Sequence, residues 1–299
     1  MADLSVDIGN LRLKNPVMLA SGTCGPELQK FTDLSKLGAI ITKTVTLNPR
    51  IGNPPPRTFE THCGILNSIG LENPGVDVFI AEKLPEFMAL NTKVIVSIAG
   101  DTFAAYVEVA RKLDNTQVDA LEINVSCPNV EKGGVEFSNK ESVYRLTKEI
   151  KEVTSKPIII KLSPNVGGLE EVSISAADGG ADAVSLINTL YGLAIDVDTK
   201  KSQLGGVTGG LSGPCIKPVA LYYVYKVKEA VNIPVIGIGG ISSTYDALEF
   251  LIVGASAVEI GTANFINPNI GVEIVEGLDS YCDKNKINKL TEIINSRAF

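Results

Sequence analysis

Residues 122–130 read Glu-Ile-Asn-Val-Ser-Cys-Pro-Asn-Val, and they place a thiol, Cys127, directly after an apolar run that ends in Asn124. Pro128 cannot continue a sheet ladder and keeps Cys127 out of helical geometry, so the thiol sits in a loop at a strand end, beside the hydroxyl of Ser126 and the amide of Asn129. In α/β proteins that position is where chemistry is usually carried. The plainer alternative is a small buried core cysteine. Two lysines also stand at strand ends: Lys43 in Ile-Thr-Lys-Thr, and Lys161 in Ile-Ile-Lys-Leu-Ser-Pro-Asn. A lysine in an apolar strand is costly unless paired. Both are expected to point into one pocket mouth, where they could hold an anionic substrate or a reduced, negatively charged cofactor ring. Asn67, Asn124 and Asn188, the last beside Thr189, offer donor and acceptor groups together. Three such amides around one pocket suit a ring with alternating N–H and C=O edges, such as a pyrimidine.

Glycine-rich turns follow two further apolar runs, Gly-Ile-Gly-Gly-Ile-Ser-Ser at 237–243 and Glu-Ile-Gly-Thr-Ala at 259–263. Glycine lets backbone N–H groups approach phosphate oxygens, and in barrels the loops after strands 7 and 8 often hold a phosphate. Ser242 stands where a G-x-G-x-x-G dinucleotide fingerprint starting at Gly237 would need glycine. The single histidine, His62, adjoins Cys63, but sequence neighbours on an extended segment point to opposite sides, so a Cys–His nucleophile is not expected there.

The elements that must position these groups alternate between apolar runs and amphipathic stretches. Strands are expected at 17–20, 39–44, 94–98, 120–124, 158–162, 183–187, 235–239 and 257–260. Helical patterns fall at 27–36, 102–113, 141–153, 169–178, 218–230 and 245–253, and Ser138 with Glu141 and Ser243 with Asp246 have capping-box spacing. Eight continuous apolar strands predict a closed (β/α)8 TIM barrel, an α/β fold. Val6–Leu13 reads as a β-hairpin with a Gly-Asn turn that caps the barrel's N-terminal end. Three strand-to-helix connections, 45–73, 125–138 and 188–217, are far longer than the usual few residues, which marks them as functional. No linker composition divides residues 1–299, so one domain is expected.

Of the 299 residues, 44 % are hydrophobic and 20 % charged, and the formal net charge is −7. That balance suits a globular protein and leaves no basic footprint for nucleic acid. No apolar run is long enough to span a bilayer, and the N-terminus lacks signal-peptide character. Five widely spaced cysteines without a C-x-x-C pair make a metal site or disulfide framework unexpected and fit a reducing cytoplasm.

The order and spacing of these segments resemble the dihydroorotate dehydrogenase family, and within it the catalytic subunits of the class 1B, NAD-linked branch. The segments that carry the resemblance are Ile41-Thr42-Lys43-Thr44, 53–57, Leu66-Asn67-Ser68-Ile69-Gly70-Leu71, 124–129, Asn188-Thr189-Leu190, 208–214, Ile238-Gly239-Gly240-Ile241 and Gly261-Thr262. The resemblance implies a barrel holding FMN at its C-terminal face, with flavin contacts from Ser21, Lys43, Thr44, Asn124, Lys161, Ile187, Gly213, Gly239, Gly240, Gly261 and Thr262. The family commonly has asparagine facing the flavin at the end of strand 3, where this chain has the shorter Ser97. Dihydroorotate or orotate contacts are implied for Lys43, Asn67, Ser68, Ile69, Gly70, Leu71, Asn124, Asn188 and Thr189. Cys127 is implied as the base that removes the C5 proton while a C6 hydride goes to the flavin.

A thiol with a reference pKa of about 8.5 is only slightly ionised at pH 7, so activity is expected to rise toward pH 8 or 9. The resemblance further implies pyrimidine biosynthesis and a partner subunit carrying FAD and a 2Fe–2S cluster that passes electrons to NAD. The implied assembly is a heterotetramer of two of each chain built on a homodimer core. His62-Cys63 departs from the family's smaller or proline residues at those places. Three other readings compete: a fumarate-linked homodimeric dihydroorotate dehydrogenase; from another class, a lyase barrel using Lys161 as a Schiff base; and a non-enzymatic electron-transfer or scaffold subunit that binds FMN without chemistry, which Cys127 and the asparagines disfavour.

Overall fold

The computed structural model describes residues 2–126 and 137–299. Cys127 and the rest of 127–136 lie outside the described residues. A two-stranded hairpin opens the chain, β1 Val6–Ile8 and β2 Leu11–Leu13, with Gly9 in the turn at φ +58°. A Cβ at Gly9 would lie 2.8 Å from that of Asp182, just before the strand that starts at Ala183, so the hairpin does close the N-terminal end of the barrel. Its inward residues Val6, Ile8, Leu11 and Leu13 are buried.

The chain then lays down β3 Val17–Leu19 and β4 Ala39–Ile41, followed by an excursion hairpin, β5 Thr58–Thr61 and β6 Gly64–Asn67. Next come β7 Lys93–Ile98, β8 Ala120–Asn124, β9 Ile158–Lys161 and β10 Ala183–Leu186. A second excursion holds β11 Leu190–Gly192, β12 Ile195–Asp196, β13 Lys201–Ser202 and β14 Gly209–Ser212, before β15 Val235–Ile238 and β16 Ala257–Ile260. Eight of these close a parallel barrel in the order β3-β4-β7-β8-β9-β10-β15-β16, and β16 pairs back to β3 through Val258 with Val17. Both faces are covered, which is why strands such as Ile-Ile-Ile-Lys in β9 are buried throughout. The two excursions meet in a four-stranded antiparallel sheet of order β11-β14-β6-β5.

The helices Phe103–Asp114, Leu169–Asp178, Lys217–Ala230 and Thr244–Val253 lie within a residue of their expected places. Thr102 accepts from the Ala105 amide and Ser243 from the Asp246 amide, satisfying amides the first helical turn leaves free. Two expectations need correction. The helix expected at 141–153 runs Lys140–Lys151, and its cap is Asn139 rather than Ser138, with the Asn139 side chain accepting from the Ser142 amide. The stretch 27–36 forms two short 3-10 turns, Pro26–Lys30 and Leu34–Lys36. Between them Asp33 turns its carboxylate onto the Ser35 amide, and the Gln29 side chain accepts from the Leu34 amide, a local alternative to helical bonding. No described helix is long and apolar enough to cross a membrane.

Candidate active site

The C-terminal ends of the strands surround a cavity that the excursion sheet helps to wall. Lys43 enters it two residues past β4, and its ammonium lies 3.3 Å from where a Cβ on Gly22 would stand. Gly22, at φ +81°, thus leaves room that a side chain would take from the lysine. Burial pulls the Lys43 ammonium below its usual range, and Glu72 partly offsets this. Thr44 also lines the cavity; its hydroxyl is 3.2 Å from that of Ser21 and 3.0 Å from that of Ser97. Ser97 is fully buried and outside the cavity wall, so its link to the cavity runs through Thr44.

The three asparagines do converge. Asn124 ends β8, and its carboxamide oxygen accepts from the Ser126 amide at 3.1 Å and from the Asn188 side-chain amide at 3.4 Å. The buried Tyr106 hydroxyl donates to the Asn124 carbonyl at 2.7 Å, tying the strand end to the helix Phe103–Asp114. Asn188 accepts from the Thr189 amide at 2.8 Å, and Asn67, at the end of β6, donates to the Gly210 carbonyl at 3.3 Å. Asn67, Ile69, Leu71, Asn124, Ile187, Asn188 and Thr189 all line the cavity. Ser68 and Gly70 lie behind the wall: the Ser68 hydroxyl accepts from the Asn53 side chain at 2.9 Å, and Gly70 turns at φ +75° against Asn53.

On the other side of the cavity stand the glycine turns. Gly213, Gly239 and Gly240 take φ values of +105°, +133° and +70°, a region unfavourable to any side chain with a Cβ. A Cβ on Gly261 would meet the Ala20 and Thr23 side-chain carbons at 3.8 and 3.9 Å, ordinary contact, so nothing crowds that position. Thr262 donates its hydroxyl to Ser212 at 2.8 Å, joining the turn after β16 to the end of β14.

Profile comparison matches residues 3–281 to dihydroorotate dehydrogenase. The chain belongs to the dihydroorotate dehydrogenase family. It is 54 % identical over 297 residues to a protein of Thermoanaerobacter pseudethanolicus named dihydroorotate dehydrogenase B (NAD(+)), catalytic subunit, with 98 % of each chain covered. Proteins of the same name from Geotalea uraniireducens and Alkaliphilus oremlandii are 50 % and 49 % identical, again with 98 % of each chain covered.

Lys161, expected at the pocket mouth from its strand-end position, is largely enclosed. It borders the cavity but is only 6 % exposed. Its ammonium lies 3.1 Å from a Glu259 carboxylate oxygen and 3.4 Å from one of Glu122. Burial alone would lower its pKa, yet the two carboxylates outweigh burial and hold it above the ordinary lysine range. An ammonium so held is a poor Schiff-base nucleophile, which removes the ground for the lyase reading. Glu122 and Glu259 are the residues that sequence reasoning passed over. The signal was present: each is a carboxylate inside an apolar strand, and Glu122 shares the strand face of Asn124 by the two-residue alternation.

Proposed function

We propose that this chain oxidises (S)-dihydroorotate to orotate in pyrimidine synthesis, using FMN bound in the cavity. The observation that carries the reading is the convergence of Lys43 and the amides of Asn67, Asn124 and Asn188 opposite the turns at Gly239-Gly240 and Gly261-Thr262. The donor set suits FMN. Turns without side chains at Gly239-Gly240 and Gly261 on the cavity wall suit a phosphate group, and Ser21, Thr44 and Lys161 supply polar contacts along the cavity. When bound, FMN supplies the acceptor for the hydride that leaves C6. In this reading Lys43 pairs with the substrate carboxylate, and the asparagines with Thr189 fix the ring by matching its alternating donor and acceptor edges. Ile69 and Leu71 complete the substrate wall. Cys127, one residue beyond the last described residue of the loop after β8, takes the C5 proton. Ile187 and Gly213 bound the flavin, while Ser97, Ser68 and Gly70 act through Thr44, Asn53 and the loop backbone.

The relatives' name, the catalytic subunit of an NAD-dependent enzyme, supports electron transfer onward to NAD through a second subunit; in our reading that subunit carries FAD and a 2Fe–2S cluster, and the assembly works in the cytoplasm. The exposed apolar side chains Tyr191, Leu193, Ile195, Val197 and Val207 on the second excursion support burial against other chains, in line with a homodimer core and a heterotetramer. The test is an anaerobic absorbance titration of the flavin-loaded chain with dihydroorotate. Bleaching of the FMN band is expected, and Cys127→Ala should keep the flavin while slowing bleaching roughly 10²–10⁴-fold. Bound flavin that dihydroorotate never bleaches refutes the substrate, and normal bleaching by Cys127→Ala refutes the base.

A further inference from the structure

Below the cavity, the described residues of the barrel interior include a charged cluster. Glu122 comes from β8, Lys161 from β9 and Glu259 from β16, with the Ser185 hydroxyl of β10 donating to Glu122 at 3.2 Å. Glu122, Ser185 and Glu259 are 0 % exposed. One ammonium facing two ionised carboxylates leaves a net charge of −1 on fully buried carboxylates, where an uncompensated charge is strongly unfavourable. A second observation points the same way. The Oε1 atom of Glu259 is buried and has no hydrogen-bond donor among the described residues. A carboxylate oxygen in that position is an acceptor with nothing to accept.

We propose that Glu259 is carried as a neutral carboxylic acid whose proton is shared with Glu122, so that the Glu122–Lys161–Glu259 cluster has no net charge. One proton removes both difficulties: the excess charge disappears, and the orphaned acceptor becomes a hydroxyl that can donate to the second carboxylate around the same ammonium. Burial and then the like charge of Glu122 both push the Glu259 carboxyl well above the usual range, against the smaller opposing pull of Lys161. The residues paired beside Glu259 are Ile238 on β15 and Met18 on β3. The helix packed outside β16, Thr244–Val253, carries Asp246 and Glu249, and both are bonded to Lys217. Among the described residues, therefore, the charged groups that face Glu259 are Glu122 and Lys161.

Resting on the FMN reading, the cluster gives the flavin a fixed ammonium balanced by a single carboxylate charge. Glu122 and Glu259 are then positioning residues for Lys161: they hold its ammonium in place while the cluster as a whole carries no net negative charge that would oppose flavin reduction.

The test uses Glu259→Gln, which keeps the shape of the neutral acid. At pH 7 the infrared spectrum of the apo chain should contain the carbonyl band of a protonated carboxylic acid, and Glu259→Gln should lose it. The wild-type chain should lose stability as pH rises above the ordinary glutamate range, because the folded state holds a proton that the unfolded state releases. Glu259→Gln should flatten that slope. In the loaded protein the variant should move the oxidised-to-reduced flavin equilibrium by less than twofold at pH 7. Absence of the band in the wild type, or a tenfold shift toward reduced flavin in the variant (about 30 mV for two electrons), overturns the proposal. A band in the apo chain together with failure to bind FMN sinks the FMN reading and leaves the shared proton standing.

Discussion

Replacing Lys161 with methionine removes the cation from between two buried carboxyl groups at almost constant volume. Glu122 and Glu259 are fully buried, and beside the proton shared with Glu259 the contact left that donates to Glu122 is the Ser185 hydroxyl at 3.2 Å. With its counter-ion gone, a carboxylate in that place must either stay charged in a dry interior or take up a proton. Neutralising a carboxyl with a reference pKa of about 4.3 costs about 3.7 kcal/mol at pH 7, at 1.36 kcal/mol per pH unit. That figure caps the charge penalty and falls within the roughly 3–5 kcal/mol typical of breaking a buried pair. The sign follows from linkage: in the variant the folded state holds a proton that the unfolded state gives up. The extra loss is therefore absent below the reference value and grows as pH rises. Lys161→Met should cost about 3–4 kcal/mol at pH 7 and about 1 kcal/mol at pH 5 relative to wild type. Adding Glu122→Gln should restore most of the loss at pH 7, because no unpaired charge remains. The assay is urea unfolding of the apo chain by circular dichroism at pH 5, 6 and 7. A variant within about 1 kcal/mol of wild type at pH 7, or a loss identical at all three pH values, refutes the reasoning.

Three further outcomes follow from the geometry of the cavity. Burial holds the Lys43 ammonium below its usual range, so orotate affinity of the loaded chain should fall as pH rises through that lowered value; Lys43→Met should weaken binding roughly 10–100-fold at pH 7 and abolish the pH dependence in a fluorescence titration. Gly213 sits at φ +105° with a Cβ position 2.7 Å from the Gly64 Cα, so Gly213→Ala should destabilise the chain by more than about 1 kcal/mol and lower the FMN-to-protein absorbance ratio. Tyr106→Phe deletes the hydroxyl that donates to the Asn124 carbonyl at 2.7 Å; it should cost about 1 kcal/mol in urea unfolding and weaken orotate binding as Asn124 loosens.

The barrel was legible because its strands are short apolar runs buried on both faces, and the polar residues that end them stand out for the same reason. Lys43, Asn124 and Asn188 interrupt apolar sequence where it leaves the sheet, and the structure brings all three to one cavity. The first excursion was legible as a long loop but not as part of a sheet. Asn67 reaches the cavity through β6, whose partner β14 pairs Gly210 with Asn67 across more than 140 residues of chain. No local pattern encodes such a pairing. The stretch 27–36 failed for a local reason, since Asp33 and Gln29 offer their side chains to the backbone amides that a helix would have used.

Glu122 and Glu259 mark the deeper limit. Each strand, read alone, shows a carboxylate that is out of place, and the alternation along β8 already turns Glu122 toward the face that carries Asn124. What the chain does not display locally is that β16 closes against β3 and so brings Glu259 within 3.1 Å of the ammonium on β9. The cost of each buried charge is visible in sequence, but its partner is decided by barrel closure. That is why Lys161 reads as a lysine reaching for the pocket mouth, while the folded chain anchors it from below between two acids.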